Sequence, residues 1–122
     1  MRKTALVVDD SVSMRKLVAH TLTQAGFDVI EGEHGREGLE KLEGTKVDLI
    51  ISDLNMPVMG GIEFIRQVRA SAAHRFVPIL MLTTESQDTK KQEGKSAGAT
   101  GWLVKPFNPE QVLTVIAKVV PR

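Results

Sequence analysis

The chain of 122 residues contains no cysteine. A disulfide framework, a thiolate zinc site and a cysteine nucleophile are therefore excluded. It has no tyrosine and one tryptophan, so aromatic partners for a bound flavin are scarce. It also lacks an excess of one charge: 16 basic side chains face 15 acidic ones, for a net charge of +1. Nucleic-acid binding, which wants a clearly basic face, has no electrostatic support. No apolar run approaches the ~18 residues of a membrane span. The N-terminal apolar stretch, residues 5–8, is shorter than the roughly 7–15 residues of a signal-peptide core. A cytoplasmic protein is expected, with neither DNA nor membrane among its partners. No repeat or low-complexity tract breaks the chain. What remains is ordinary for a globular protein, 42% hydrophobic and 25% charged. The length suits one domain over residues 1–122, with no separate output domain.

Five short apolar runs punctuate the sequence: residues 5–8, 29–30, 49–51, 79–82 and 102–104. They are aliphatic or β-branched and do not alternate, as strands buried on both faces would be. Helical patterns lie between them. In residues 12–25, Leu17, Val18, Leu22 and Ala25 fall on one face, and Gly26 supplies a stop. Residues 37–42 form a weak second helix, and Ile62, Ile65 and Val68 mark a third. Residues 87–97 form a polar fourth helix, interrupted by Gly94, which costs about 1 kcal/mol relative to alanine. Asn108, Pro109 and Glu110 open the last helix, with Val112, Val115, Ile116 and Val119 along one face. Five alternations of strand and helix predict an α/β fold with a parallel sheet. Strand order 2-1-3-4-5 gives the flavodoxin-like doubly wound form. Its ligands bind beyond the carboxyl ends of the strands, near the switch between strands 1 and 3.

The polar chemistry falls at that edge. Strand 1 ends in Asp9 and Asp10, strand 3 in Asp53, strand 4 in Thr83 and Thr84, and strand 5 in Lys105. Strand 2, at the edge, ends in Glu31. Three converging carboxylates repel one another, so a pKa rises or a cation settles among them. Oxygen ligands without histidine or cysteine favour Mg²⁺, Mn²⁺ or Ca²⁺, and an incomplete cage suits Mg²⁺ best. Carboxylate nucleophile, metal, ammonium and hydroxyl are the parts of a phosphoryl-transfer site.

The segments VVDDS (7–11), ISDLNMPVMGG (51–61), MLTTES (81–86) and GWLVKPF (101–107) together resemble the signature segments of response-regulator receiver domains, most of all the stand-alone chemotaxis type. The resemblance covers the whole chain. It implies that Asp53 is the phospho-acceptor and Asp10 a direct metal ligand, with Asp9 an indirect one. It implies metal ligation by Asp53 itself and by the backbone carbonyl of Asn55. Lys105 would pair with the phosphoryl group through a cis Lys105–Pro106 bond, Thr83 would be the switch hydroxyl and Trp102 the switch aromatic. Asn55 and Glu85 would tune dephosphorylation. The cofactor implied is Mg²⁺, with Mn²⁺ as a substitute. The partners implied for a monomer are a CheA-like histidine kinase, a phosphatase and a downstream target such as the flagellar switch protein FliM. The target would be read by helix 4, strand 5 and helix 5.

Three positions depart from the family pattern. Gly60 replaces an acidic or small polar residue and loosens the loop after Asp53. Trp102 is bulkier than the usual tyrosine or phenylalanine. Helix 4 is unusually polar, which weakens the case for FliM more than that for phosphorylation. A relay intermediate or phosphate sink that does not act on the motor is the alternative. A phosphohydrolase would place an acid, not Asn55, two residues after its nucleophile. An FMN-binding electron carrier would place a Ser-, Thr- and Gly-rich loop, not two aspartates, after strand 1. His20, His34 and His74 are expected at the surface. Met14, Met56, Met59 and Met81 are expected to be packing residues, and Lys90, Lys91 and Lys95 a solvated face.

Overall fold

Alternating buried strands and capped helices build the chain in one order: β1 (Thr4–Val8), α1 (Val12–Gln24), β2 (Asp28–Gly32), α2 (Gly35–Leu42), β3 (Leu49–Asp53), α3 (Gly61–Ala70), β4 (Ile79–Thr84), α4 (Asp88–Ala97), β5 (Gly101–Lys105) and α5 (Pro109–Val119). The computed structural model describes residues 2–84, 88–105 and 108–120. All five strands are parallel, in the order β2-β1-β3-β4-β5, the flavodoxin-like doubly wound arrangement. Among the described residues no helix is long and apolar enough to cross a membrane.

Strand side chains alternate between the two faces, so one sheet supports two cores. Ala5, Val7, Leu49, Ile51, Leu80 and Leu82 pack with Val18, Leu22, Val112 and Ile116 of α1 and α5. Leu6, Val8, Ile50, Ile79 and Met81 pack with Phe64, Ile65 and Val68 of α3 and Leu42 of α2. The central strands are buried on both faces, as the apolar runs predict. The edge strands are not, since Asp28 on β2 and Trp102 on β5 are exposed. An edge strand has a neighbour on one side only, and its helix covers are incomplete.

Helix ends follow local chemistry. The Ser11 side chain accepts from the Met14 amide at 3.3 Å, and Gly26 beyond α1 takes φ +97°. Asn108 and Gln111 form a reciprocal capping box at α5. Helix α2 begins two residues earlier than the pattern suggests, because His34 Nδ1 accepts from the Glu37 amide at 3.2 Å.

Several expectations are corrected. Leu17 and Ala25 are exposed, and the buried face of α1 is Arg15, Val18, Ala19, Thr21 and Leu22. His74 is buried, with Nε2 2.9 Å from the Thr45 carbonyl, which joins the α3–β4 loop to the α2–β3 loop. Gly94 is not merely a weak point: a Cβ there would collide with Sδ of buried Met81. The glycine lets α4 approach the sheet.

Candidate functional site

Asp9 and Asp10 follow the last residue of β1, and Asp53 closes β3. The pairing of Val8 with Ser52 sets these two strand ends side by side. One carboxylate oxygen from each of Asp9, Asp10 and Asp53 lies within 4.8 Å of the others. Asp9 and Asp53 are buried, whereas Asp10 faces solvent. The Ser11 amide donates to Asp9 Oδ1 at 2.9 Å. Asp9 Oδ2 is buried with no hydrogen-bond partner among the described residues. Burial pushes the Asp9 carboxyl above its ordinary value; the Ser11 amide opposes this, and the Asp53 charge adds to it.

The neighbouring strands complete the crevice. Asp53 pairs in register with Leu82, so Thr83 stands one residue beyond it on β4. Lys105, partnered with Thr84, ends β5. Its Nζ lies 3.2 Å from Asp53 Oδ1, which also accepts from the Leu54 amide at 2.9 Å. Thr83 is 1% exposed, and its Oγ1 has no partner among the described residues. Two buried polar atoms at one strand edge, Asp9 Oδ2 and Thr83 Oγ1, thus lack partners among the described residues. Unsatisfied groups of this kind cost stability and cluster where a ligand completes them.

The donor set suits a hard divalent cation such as Mg²⁺ or Mn²⁺. It is all oxygen, it carries excess negative charge, and the orphaned Asp9 Oδ2 is a ready acceptor for a bound water or the ion. Asn55 is exposed in the loop two residues after Asp53. That loop is tightly held. The Gly61 amide donates to the Leu54 carbonyl at 2.9 Å, and the Gly35 amide to the Met59 carbonyl at 3.2 Å. A Cβ on Gly61 would run into the Asp53 carbonyl oxygen, so only glycine fits. Gly60 has an ordinary extended backbone and serves as the N-cap of α3 without a side-chain bond.

The strand edge therefore gathers Asp9, Asp10, Asp53, Thr83 and Lys105. Trp102 lies outside the crevice on β5, 37% exposed, with Lys91 Nζ 6.0 Å from its ring centroid. Its register partner is Met81, two residues before Thr83, so Trp102 and Thr83 project from the same face of the sheet. Glu85 and the Lys105–Pro106 bond lie outside the described residues. Sequence reasoning missed Arg15, whose side chain is buried behind Asp9 and donates to the Asp9 carbonyl at 2.8 Å. The signal was present: Arg15 shares a helical phase with Val18 and Leu22, and a cation on a buried stripe needs a partner.

Residues 5–117 match the family model described as the response regulator receiver domain. The chain is 43% identical over 119 residues to the chemotaxis protein CheY1 of Helicobacter pylori, covering 94% of each chain. It is 42% identical over 107 residues to a CheY homologue of Campylobacter jejuni, covering 86% of this chain and 82% of the homologue. Its fold superposes on the chemotaxis response regulator CheY4 of Vibrio cholerae with a TM-score of 0.93 at 53% identity, covering 98% of this chain and 100% of that one.

Proposed function

Because the chain belongs to the response regulator receiver domain family, we propose that it is a chemotaxis response regulator whose Asp53 accepts a phosphoryl group from a histidine kinase. The carrying observation is the crevice itself: three carboxylates within 4.8 Å of one another, with Lys105 Nζ 3.2 Å from Asp53 Oδ1. A structural ion pair would need no excess of negative charge around it.

In this reading an Asp53 carboxylate oxygen attacks the phosphorus of a phosphohistidine. The new O–P bond forms as the P–N bond breaks, and the electron pair leaves with the imidazole of the kinase. Asp10, Asp53 and the Asn55 carbonyl, with Asp9 as indirect support, would hold Mg²⁺, which supplies neutralisation of the phosphoryl charge when bound. Lys105 pairs with a phosphoryl oxygen once the Asp53 carboxylate is phosphorylated. Thr83 Oγ1, without a partner among the described residues, donates to another. Thr83 and Trp102 share a face of the sheet, so movement of the hydroxyl toward the phosphoryl group leaves room for the indole to turn inward. The surface of α4, β5 and α5 then changes its affinity for a protein target. Moving a state from ~1% to 99% requires about 5.5 kcal/mol of bias. Water later cleaves the acyl phosphate, at a rate that the residues two positions after Asp53 and Thr83, Asn55 and Glu85, would tune. The protein acts as a signalling element whose only chemistry is on its own side chain.

The test is incubation with acetyl phosphate and Mg²⁺, followed by Trp102 fluorescence and by detection of acid-labile, hydroxylamine-sensitive phosphate. Wild type should incorporate one phosphoryl group, and Asp53→Asn none. Stoichiometric incorporation by Asp53→Asn refutes the assignment. The polar surface of α4 favours a second reading, a relay intermediate that does not engage the motor. Binding of the phosphorylated protein to FliM separates the two.

A further inference from the structure

Arg15 is a charged side chain with little exposure, only 9%, on the buried face of α1. Its Nε donates to Glu31 Oε1 at 3.0 Å, and its Nη1 donates to the Asp9 carbonyl at 2.8 Å. Glu31 is itself held in place. Its other carboxylate oxygen accepts from Lys16 at 3.0 Å, and its main-chain carbonyl accepts from Lys41 at 2.7 Å. Burial alone would raise the Glu31 carboxyl, but the bonds from Lys16 and Arg15 outweigh it and hold the group below its ordinary value. The Asp9 amide donates to the Gly32 carbonyl at 3.1 Å, one residue after Glu31. The last residues of β2 therefore grip Asp9 twice, directly through its N–H and through Arg15 at its C=O.

The Asp9 carbonyl belongs to the same rigid plane as the Asp10 amide. Holding that oxygen sets the plane, and the plane sets the direction in which Asp10 leaves the strand. The guanidinium fork suits this role because it serves two acceptors in a fixed geometry. Its charge is paired with Glu31, and its contact with Asp9 is made to the main-chain carbonyl, not to the carboxylate. The effect is therefore geometric.

We infer that Arg15, clamped by Glu31, is a positioning residue for the cation site and fixes the Asp9–Asp10 peptide so that the two carboxylates converge with Asp53. This rests on the reading of the acidic crevice as a divalent-cation site. Groups behind metal ligands typically contribute about 10–100-fold to affinity.

The experiment is Mn²⁺ binding to the unphosphorylated protein, followed by the loss of the free-ion electron paramagnetic resonance signal, with Mg²⁺ calorimetry in parallel. Thermal unfolding identifies a temperature at which every variant is folded. Asp10→Asn must lose Mn²⁺ binding; if it binds like wild type, the cation-site reading fails and the inference fails with it. Arg15→Lys keeps the charge but cannot span both acceptors, and Arg15→Met removes the charge. Positioning requires both to bind Mn²⁺ about tenfold more weakly, with Glu31→Gln shifted the same way. A through-space charge effect would leave Arg15→Lys unchanged and make Arg15→Met bind more tightly. A purely structural role would lower the unfolding temperature and leave the affinity of the folded protein unchanged. Either of these last results overturns the inference. If Arg15→Met does not fold, Arg15→Lys and Glu31→Gln carry the same requirement.

Discussion

Gly61 and Gly94 each let a helix approach what lies behind it, but they press on different things. At Gly61, beside the acidic crevice, a side chain would meet the Asp53 carbonyl oxygen and the Leu54 Cα. At Gly94, on α4, it would meet the sulfur and terminal methyl of Met81. Backbone atoms cannot yield without moving the strand end that carries Asp53. The tip of a methionine is flexible and can change rotamer. The crevice is thus fixed by main chain, while α4 rests on an adjustable side chain. This division suits the proposed function, in which the phosphorylation chemistry stays in register while the α4 surface changes shape.

Gly61→Ala is the most severe way to break that comparison. It should destabilise the fold by about 3 kcal/mol, at the upper end of overpacking effects, and weaken Mn²⁺ binding because the strand end shifts. Chemical denaturation and metal titration of the folded fraction check both effects. A stable protein with unchanged metal affinity would show that the crevice is softer than the glycine contact implies.

Asp9→Asn sharpens the contrast from the crevice side, where a buried carboxylate lacks a full set of partners. The raised Asp9 value means that the native state, at neutral pH and without a divalent cation, carries a buried charge it disfavours. As pH falls through that raised value, the native state takes up a proton before the unfolded chain does, and the penalty fades. The asparagine variant should therefore be more stable than wild type at neutral pH without Mg²⁺. Its advantage should shrink as pH falls, and the stabilisation by Mg²⁺ should weaken. Thermal unfolding across pH, with and without the cation, reads all three.

Gly94→Ala should have the smallest effect. A gain in helix propensity of about 1 kcal/mol opposes the crowding of Met81, leaving a net change within about 1 kcal/mol. Coupling with Met81 is the informative part. Met81→Val should cost less in the alanine background than in wild type, by about 0.5–1 kcal/mol, in a double-mutant cycle. No coupling would mean that the strain falls on the helix backbone instead.

The strands, the helices and their order were legible because each has a local cause. Central strands buried on both faces read as unbroken aliphatic runs. Caps such as Asn108 read as helix starts, because their chemistry involves residues three apart. The strand-end residues Asp9, Asp10, Asp53, Thr83 and Lys105 were legible for a related reason. A parallel sheet delivers the carboxyl ends of its strands to one edge, so position along the chain implies position in space.

What the sequence left undecided depended on contacts between distant segments. Gly94 looked like a defect, because the methionine that requires it lies on another element. His74 looked like a surface residue, because its partner, the Thr45 carbonyl, is 29 positions away. Leu17 looked buried and Arg15 went unnoticed, because the helical period gives a stripe but not its phase against the sheet. Periodicity and motif are properties of the chain, and they determined the fold and the residues at the carboxyl edge of its sheet. The phase of α1 and the seat of α4 were decided by packing, since only the folded molecule brings Arg15 to the Asp9 carbonyl and Gly94 to Met81.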